Sequence, residues 1–85
     1  MELEERFRQA QERVKKLSAA PSNESLLELY ALYKQSTVGD VQGSRPGMMD
    51  FKGRAKFDAW AGRKGTSKDK AMEAYVALVA RLAGT

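Results

Sequence analysis

The amino-acid sequence predicts an all-α fold, a bundle of four helices in one domain that spans residues 1–85. Two observations predict it. In four stretches, apolar residues recur every three or four positions, which is the period of a helix with one buried face. No stretch shows the strict alternation of apolar and polar residues that is typical of a half-buried strand. A chain of this length buries only about 60 to 65 % of its surface, so a large enzyme-type cleft is not expected.

The first helix is predicted from Leu3 to Leu17. Glutamates lie near its amino end and lysines at its carboxyl end, as the helix dipole favours. The repeat covers only about two heptads, which is too short for a coiled coil, so we expect the apolar stripe to pack inside the same domain. The stripe consists of Leu3, Phe7, Ala10, Val14 and Leu17.

The second helix is predicted to begin at Ser22 or Asn23, either of which can serve as its N-cap, and to end near Thr37. Its apolar residues point to two sides. Leu29 and Leu32 lie on one side, so the helix is expected to contact two different surroundings. The other face, within about 120° on the helical wheel, carries Leu26, Leu27, Tyr30, Tyr33 and Lys34.

A loop of about a dozen residues is predicted between Thr37 and Asp50, because that stretch has neither period and contains three glycines and a proline. So long a connection in a small domain is expected to be functional or to span the body of the fold. Asp50 can cap a third helix that ends near Ala61, before two glycines. One of its stripes is apolar, and another carries Lys52, Lys56 and Trp60.

A fourth helix is predicted after Thr66 or Ser67, either of which can cap it, and Gly84 stops it. The short connections predict that helix one packs on helix two and that helix three packs on helix four. The long loop would let helix three run parallel to helix two. The wide apolar face of helix four consists of Ala71, Met72, Tyr75, Val76, Val79 and Leu82.

The composition argues against most catalytic and metal chemistry. Without cysteine or histidine, the chain lacks thiolate ligands, the usual zinc ligand and the usual near-neutral general base. No glycine motif for phosphate or dinucleotide binding is present, and the acidic residues are scattered at helix starts. We therefore expect no enzyme, no metal site and no cofactor. The net charge of +4 favours an anionic partner.

The expected location is cytoplasmic, and the expected state is a monomer. The amino terminus is charged where a secretory signal would need an apolar core. The apolar run that includes residues 74–79 is broken by Arg81 and is far shorter than a membrane span.

The strongest candidate for a ligand site is the group Tyr30, Tyr33 and Lys34. These residues occupy positions i, i+3 and i+4, which share one face of a helix. Flat rings, phenolic hydroxyls and a cation suit an aromatic base that carries phosphate. The alternative is that both tyrosines belong to the core and that the alkyl stem of Lys34 covers them. Lys56, one turn before Trp60, would meet Lys34 across a groove if helices two and three are neighbours. Two like charges brought together would favour an anion between them.

Three segments resemble the acyl-CoA-binding protein family, also known as the diazepam-binding inhibitor family. They are YALYKQSTVGD from Tyr30, RPGMMDFKGRAKFDAW from Arg45 and KGTSKDKAMEAY from Lys64, in the family's order. The resemblance implies a four-helix up-down-down-up bundle with a long loop between helices two and three. It also implies non-catalytic binding, buffering and intracellular transport of medium- to long-chain fatty acyl-CoA esters, with enzymes or membranes as transient donors and acceptors.

The resemblance also implies roles for eight residues of this chain. The adenine and the 3′-phosphate of CoA would meet Tyr30, Tyr33 and Lys34, and Lys56 would be the second phosphate-binding lysine. Further contacts at the nucleotide end would come from Lys15 and Tyr75, and the surface for the acyl chain would include Leu27 and Ala55.

Two other functions follow from the residues alone. A high isoelectric point with lysine stripes is compatible with a small helical nucleic-acid-binding domain, although scattered acidic residues and the lack of a recognition-helix motif argue against nucleic acid as the partner. The tyrosine face would also suit a helical protein-interaction module.

Overall fold

A computed structural model of the chain describes residues 2–84, and these residues form four α-helices and no strand. This confirms the predicted fold class. The helices are α1 (Leu3–Val14), α2 (Asn23–Thr37), α3 (Phe51–Ala61) and α4 (Lys68–Leu82).

Three of the helices begin at a capping side chain that the sequence predicted. Ser22, Asp50 and Ser67 each accept a hydrogen bond from the amide three residues further on, at 2.9–3.1 Å. Each bond satisfies an amide that has no partner inside its helix. Where two caps were possible, the serine is used and not its neighbour Asn23 or Thr66.

The first helix is shorter than predicted, since it ends at Val14 and not at Leu17. Lys15 is its C-cap residue, and the amide of Lys16 donates to the carbonyl of Arg13, three residues back, at 3.0 Å. This bond tightens the last turn and takes the chain out of α-helical geometry. Leu17 keeps the half-buried position that the stripe predicted, although it lies outside the helix.

The predicted pairing of helices is wrong. The closely packed pairs are α1 with α4, α2 with α4, and α2 with α3. Among the described residues, α1 makes no backbone approach to α2, nor α3 to α4. The reason lies in the apolar surface of each helix, because α4 buries Ala71, Tyr75, Leu78 and Val79 and packs on two neighbours, whereas α3 buries only Trp60.

Hydrogen bonds at the helix ends fix the directions of α2, α3 and α4. The indole nitrogen of Trp60, at the end of α3, donates to the carbonyl of Gly39, just beyond α2, at 2.8 Å. Gln35, near the end of α2, donates to the carbonyl of Thr66, just before α4, at 2.8 Å. The end of α2 therefore lies beside the end of α3 and the start of α4, so α3 is parallel to α2, as predicted, and α4 is opposed to both.

The outer helices α1 and α4 run parallel. Phe7 in α1 packs edge-on against Tyr75 in α4, with ring centroids 5.0 Å apart, and Leu17 and Leu82 beyond them line one surface cleft. The topology is therefore up-down-down-up, as the family resemblance implied. The core between the helices consists of Phe7, Ala10, Leu29, Leu32, Tyr75, Leu78 and Val79.

A buried glutamine of α2 joins two of the connections between helices at one end of the bundle. Gln35 is fully buried, and its side-chain amide donates to Asp40 Oδ1 and to the carbonyl of Thr66, both at 2.8 Å. The same carboxylate oxygen accepts from the amide of Gly65 at 2.9 Å. The Gly65 amide and, second, the Gln35 side chain lower the pKa of Asp40.

The long loop between α2 and α3 is present as predicted, over residues 38–50, and it runs from one end of the bundle to the other. Arg45 holds it to α3 through two hydrogen bonds to the carboxylate of Asp58, at 2.9 and 2.6 Å. Between residues 2 and 84, no helix is long and apolar enough to cross a membrane.

Candidate ligand-binding site

The second helix contacts two surroundings, as its helical wheel predicted. Leu29 and Leu32 are buried in the core, whereas Leu26 and Tyr33 are 48 % and 40 % exposed. This side of α2 is therefore an open face and not core, which excludes the alternative that both tyrosines are buried core residues. Between the two extremes lie the half-buried Leu27, Tyr30 and Lys34.

Two lysines extend over aromatic rings across the junction of α2 and α3. The ammonium nitrogen of Lys56 lies 5.4 Å from the ring centroid of Tyr30, and that of Lys34 lies 5.0 Å from the ring of Trp60. Both distances are within the range of cation–π attraction. The two pairs are one turn apart and keep the same register, so the parallel helices place both lysines at one junction of α2 and α3.

Among residues 2–84, neither lysine forms an ion pair with a carboxylate. The ion pairs found between residues 2 and 84 join Arg8 to Glu5, Arg45 to Asp58 and Arg63 to Glu28. Lys34 and Lys56 therefore offer two positive charges on an open, partly aromatic face, which suits a ligand with more than one anionic group.

Phe7 connects two of the predicted tyrosines. Its ring centroid lies 6.2 Å from that of Tyr33 and 5.0 Å from that of Tyr75. Burial, and secondly the neighbouring Tyr33, raise the pKa of Tyr75. The phenol of Tyr75 therefore stays protonated at neutral pH and is able to donate a hydrogen bond.

The two predicted acyl-contact residues lie close together along the bundle. Leu27 and Ala55 are both half-buried, one on α2 and one on α3. The register of the lysine–ring pairs places them within about two residues, or 3 Å, of each other along the helix axes. They lie toward the starts of the two helices, where Leu26 is also exposed.

Lys15 is not among the residues that the ring and cation–π contacts join. It is the exposed C-cap of α1, eight positions after Phe7, which corresponds to about 12 Å along the axis. No aromatic or ion-pair contact within the described chain joins it to the tyrosines or to the other lysines.

The role of Trp60 differs from what its stripe suggested. The stripe grouped it with Lys52 and Lys56 on one face, but its side chain is only 8 % exposed and its indole nitrogen is bonded to Gly39. Trp60 therefore joins α3 to the loop after α2 and offers its ring to Lys34 as a support. Phe7 is the reverse case, because its stripe predicted a core residue and gave no sign that it bridges Tyr33 and Tyr75.

An all-α bundle with an open, cationic and aromatic face between two parallel helices defines a small ligand-binding domain. The chain belongs to the acyl CoA binding protein family, whose sequence profile it matches over residues 4–79. This family consists of non-catalytic binding proteins. Membership of it supports neither of the two alternatives, a nucleic-acid-binding domain or a protein-interaction module.

Relatives from distant organisms are similar over nearly the whole chain. The acyl-CoA-binding protein of Brassica napus is 56 % identical over 82 residues, which cover 96 % of this chain and 89 % of the relative. An acyl-CoA-binding protein homolog of Manduca sexta is 51 % identical over 83 residues, with 96 % and 92 % covered. The similarity therefore includes all four helices and their connections.

Solved structures share the fold. The crystal structure of acyl-CoA-binding protein 2 of Oryza sativa has a TM-score of 0.90 and 46 % identity, and it covers 95 % of this chain and 90 % of that one. The crystal structure of the corresponding protein from Moniliophthora perniciosa has a TM-score of 0.87 and 41 % identity, with 100 % and 86 % covered.

Proposed function

We propose that this chain is a single acyl-CoA-binding domain over residues 1–85, which binds, buffers and transports medium- to long-chain fatty acyl-CoA esters in the cytoplasm as a monomer. The proposal rests on Lys34 and Lys56, which lie over the rings of Trp60 and Tyr30 and have no ion-pair partner among residues 2–84. No bond is made or broken, and no cofactor takes part. Acyl-CoA-using enzymes or membranes would donate and accept the ligand.

The nucleotide end of the ligand is assigned to the aromatic and cationic part of the face. In this proposal Tyr30, Tyr33 and Lys34 receive the adenine and the 3′-phosphate, and Lys56 binds a second phosphate. Each charge-assisted bond to phosphate contributes about 1.5–3 kcal/mol. Lys15 and Tyr75 complete the nucleotide end, and Lys15 needs its long, exposed side chain to reach it.

The acyl chain is assigned to the apolar part of the same face, along Leu27 and Ala55. Burial contributes about 0.8 kcal/mol per methylene, so a dozen shielded methylenes contribute on the order of 10 kcal/mol before the losses of binding. The head group therefore sets identity and orientation, and the length of the chain sets most of the difference in affinity among ligands.

Isothermal titration calorimetry with palmitoyl-CoA, free CoA and palmitate tests the proposal. We expect the ester to bind more tightly than either fragment, because only the ester occupies both parts of the face. Equal affinity for the ester and for one of its fragments would overturn the proposed function.

A further inference from the structure

Three large apolar side chains near the start of α3 are almost fully exposed. Met48, Met49 and Phe51 are 77 %, 90 % and 77 % exposed, and they lie within four positions of one another. We call residues 47–51 the methionine turn. A monomeric protein seldom exposes neighbouring large apolar groups without a partner, and the ligand site proposed above does not use either methionine.

The methionine turn is held in place from both sides. The amide of Asp50 donates to the carbonyl of Gly47 at 3.0 Å, so the two methionines are the corner residues of a closed turn. On one side Asp50 caps α3, and on the other Arg45 is bonded to Asp58 of α3. These bonds hold the turn at the start of α3 and the preceding loop along α3 as far as Asp58, and they keep the methionines away from the core.

The surroundings of the methionine turn are positively charged. Lys52, Arg54 and Lys56 follow it on α3. On α3 and its cap, the carboxylate of Asp50 caps the helix and that of Asp58 is paired with Arg45. On the neighbouring α2, Glu28 is paired with Arg63, and Glu24 lies in the first turn of the helix. A second copy of this chain would place like charges together, whereas an anionic surface would be attracted.

We propose that the methionine turn docks on the surface of an anionic lipid bilayer. The methionines and Phe51 enter the boundary between head groups and acyl chains, while Lys52 and its neighbours meet the anionic head groups. Apolar insertion or electrostatic attraction alone gives only weak membrane binding, and stable binding takes both. The docking needs no acyl-CoA. The purpose that we assign to the docking is the exchange of acyl-CoA with the membrane beside Leu27 and Ala55. This purpose rests on the proposed function.

Co-sedimentation of the full chain with vesicles, without acyl-CoA, tests the docking. Vesicles of phosphatidylcholine with phosphatidylserine should bind the chain, and vesicles of phosphatidylcholine alone should bind it much less. The double substitution Met48→Ser with Met49→Ser should lower the partition coefficient about tenfold. Lys52→Gln should lower it about fivefold, since one cation near the anionic surface is lost.

Matched controls lie at the opposite end of the bundle, where α2 ends and α4 begins. Val38 is an exposed apolar residue there, and Lys70 is an exposed cation. Val38→Ser and Lys70→Gln should change the partition coefficient by less than about twofold, because neither residue faces the bilayer in the docked orientation. Circular dichroism should show that all four variants fold as the original chain does.

Several results would overturn the docking. One is failure of the original chain to bind phosphatidylserine vesicles, and another is unchanged binding by the double methionine variant. If the double variant loses affinity for palmitoyl-CoA in calorimetry but keeps its affinity for vesicles, the methionines belong to the ligand site. If sedimentation velocity shows a dimer that the double variant lacks, a second copy covers the turn. Failure of the proposed function is distinguishable, because it appears as absent palmitoyl-CoA binding by the original chain while vesicle binding persists.

Discussion

At the scale of single residues, the proposed phosphate contacts depend on Lys34 and Lys56, on the open face of α2 and α3. Each ammonium group lies over a ring, and neither is neutralised by a carboxylate among the described residues. A cation in this setting is held in position yet keeps its charge for a ligand. The same side chain paired with a carboxylate would contribute far less to binding phosphate.

Lys34→Ala and Lys56→Ala should each weaken palmitoyl-CoA binding about ten- to a hundredfold, because each removes a charge-assisted bond to phosphate. Calorimetry at two salt concentrations is the measurement. The loss should be larger at low salt, since salt screens the interaction that was removed. Lys70→Ala, a change of an exposed lysine on α4, is the matched control. A loss that is equal at both salt concentrations would argue against a phosphate contact.

Asp40 makes the stability of the fold dependent on pH. The Gly65 amide and then the Gln35 side chain lower the pKa of Asp40 below its ordinary value of 3.8. Because the folded-state pKa is the lower one, Asp40 stabilises the fold above about pH 4 and loses this contribution as the pH falls through the folded-state pKa.

Asp40→Asn should therefore lower the free energy of unfolding at pH 7, and the difference from the original chain should shrink as the solution is acidified below about pH 4. Urea denaturation at a series of pH values is the measurement. A difference that stays constant down to the lowest pH at which the chain folds would show that the carboxylate charge has no part in the junction.

At the scale of helices, the start of α3 depends on the fit between a glycine and its cap. Asp50 accepts a hydrogen bond from the amide of Gly53 at 2.9 Å. A Cβ atom at position 53 would overlap the carboxylate of Asp50. In the sequence this glycine lies inside a predicted helix, where it is unfavourable by about 1 kcal/mol against alanine. Only the structure shows that its missing side chain makes room for the cap.

Gly53→Ala should therefore destabilise the chain by up to about 1 kcal/mol, since losing the cap outweighs the gain in helix propensity. In an Asp50→Ala background the same substitution should instead stabilise it, by up to about 1 kcal/mol. Chemical denaturation of the two single variants and the double variant measures this change of sign. The same effect of Gly53→Ala in both backgrounds would contradict the assigned clash.

The helices and their caps were predictable because their signals are local. The capping residues Ser22, Asp50 and Ser67 and the apolar repeat lie within a few positions of the structure that they determine. The pairing of the helices was not predictable from short connections, because it depends on how wide an apolar surface each helix offers. Leu78 held part of that signal, since positions 71, 75, 78 and 82 follow the helical period, and it is buried in α4.

At the scale of the whole molecule, the candidate site depends on two parallel helices that are not joined by a short turn. The loop over residues 38–50 returns the chain to the end where α2 begins, and this places Lys56 beside Tyr30 and Lys34 beside Trp60. Helical spacing alone grouped Tyr30, Tyr33 and Lys34. The contribution of α3 required the direction of that helix. The Gln35 junction required the α2–α3 loop and the α3–α4 connection to meet, which no local pattern in the sequence specifies.

The proposed site also uses both outer helices, so a bound ligand should stabilise the bundle as a whole. A ligand present at one hundred times its Kd, and bound only by the folded state, adds about 2.7 kcal/mol to the free energy of unfolding. For a domain of this size, that corresponds to a rise in Tm of about 10 to 20 °C.

At one fixed concentration, each longer acyl chain should raise Tm further until the apolar surface along Leu27 and Ala55 is fully covered. Up to that length, every added methylene is shielded from water. Thermal denaturation with free CoA and with acyl-CoA esters of increasing chain length measures this. Equal shifts for free CoA and palmitoyl-CoA would mean that the nucleotide alone is bound and that the apolar half of the face contacts no ligand.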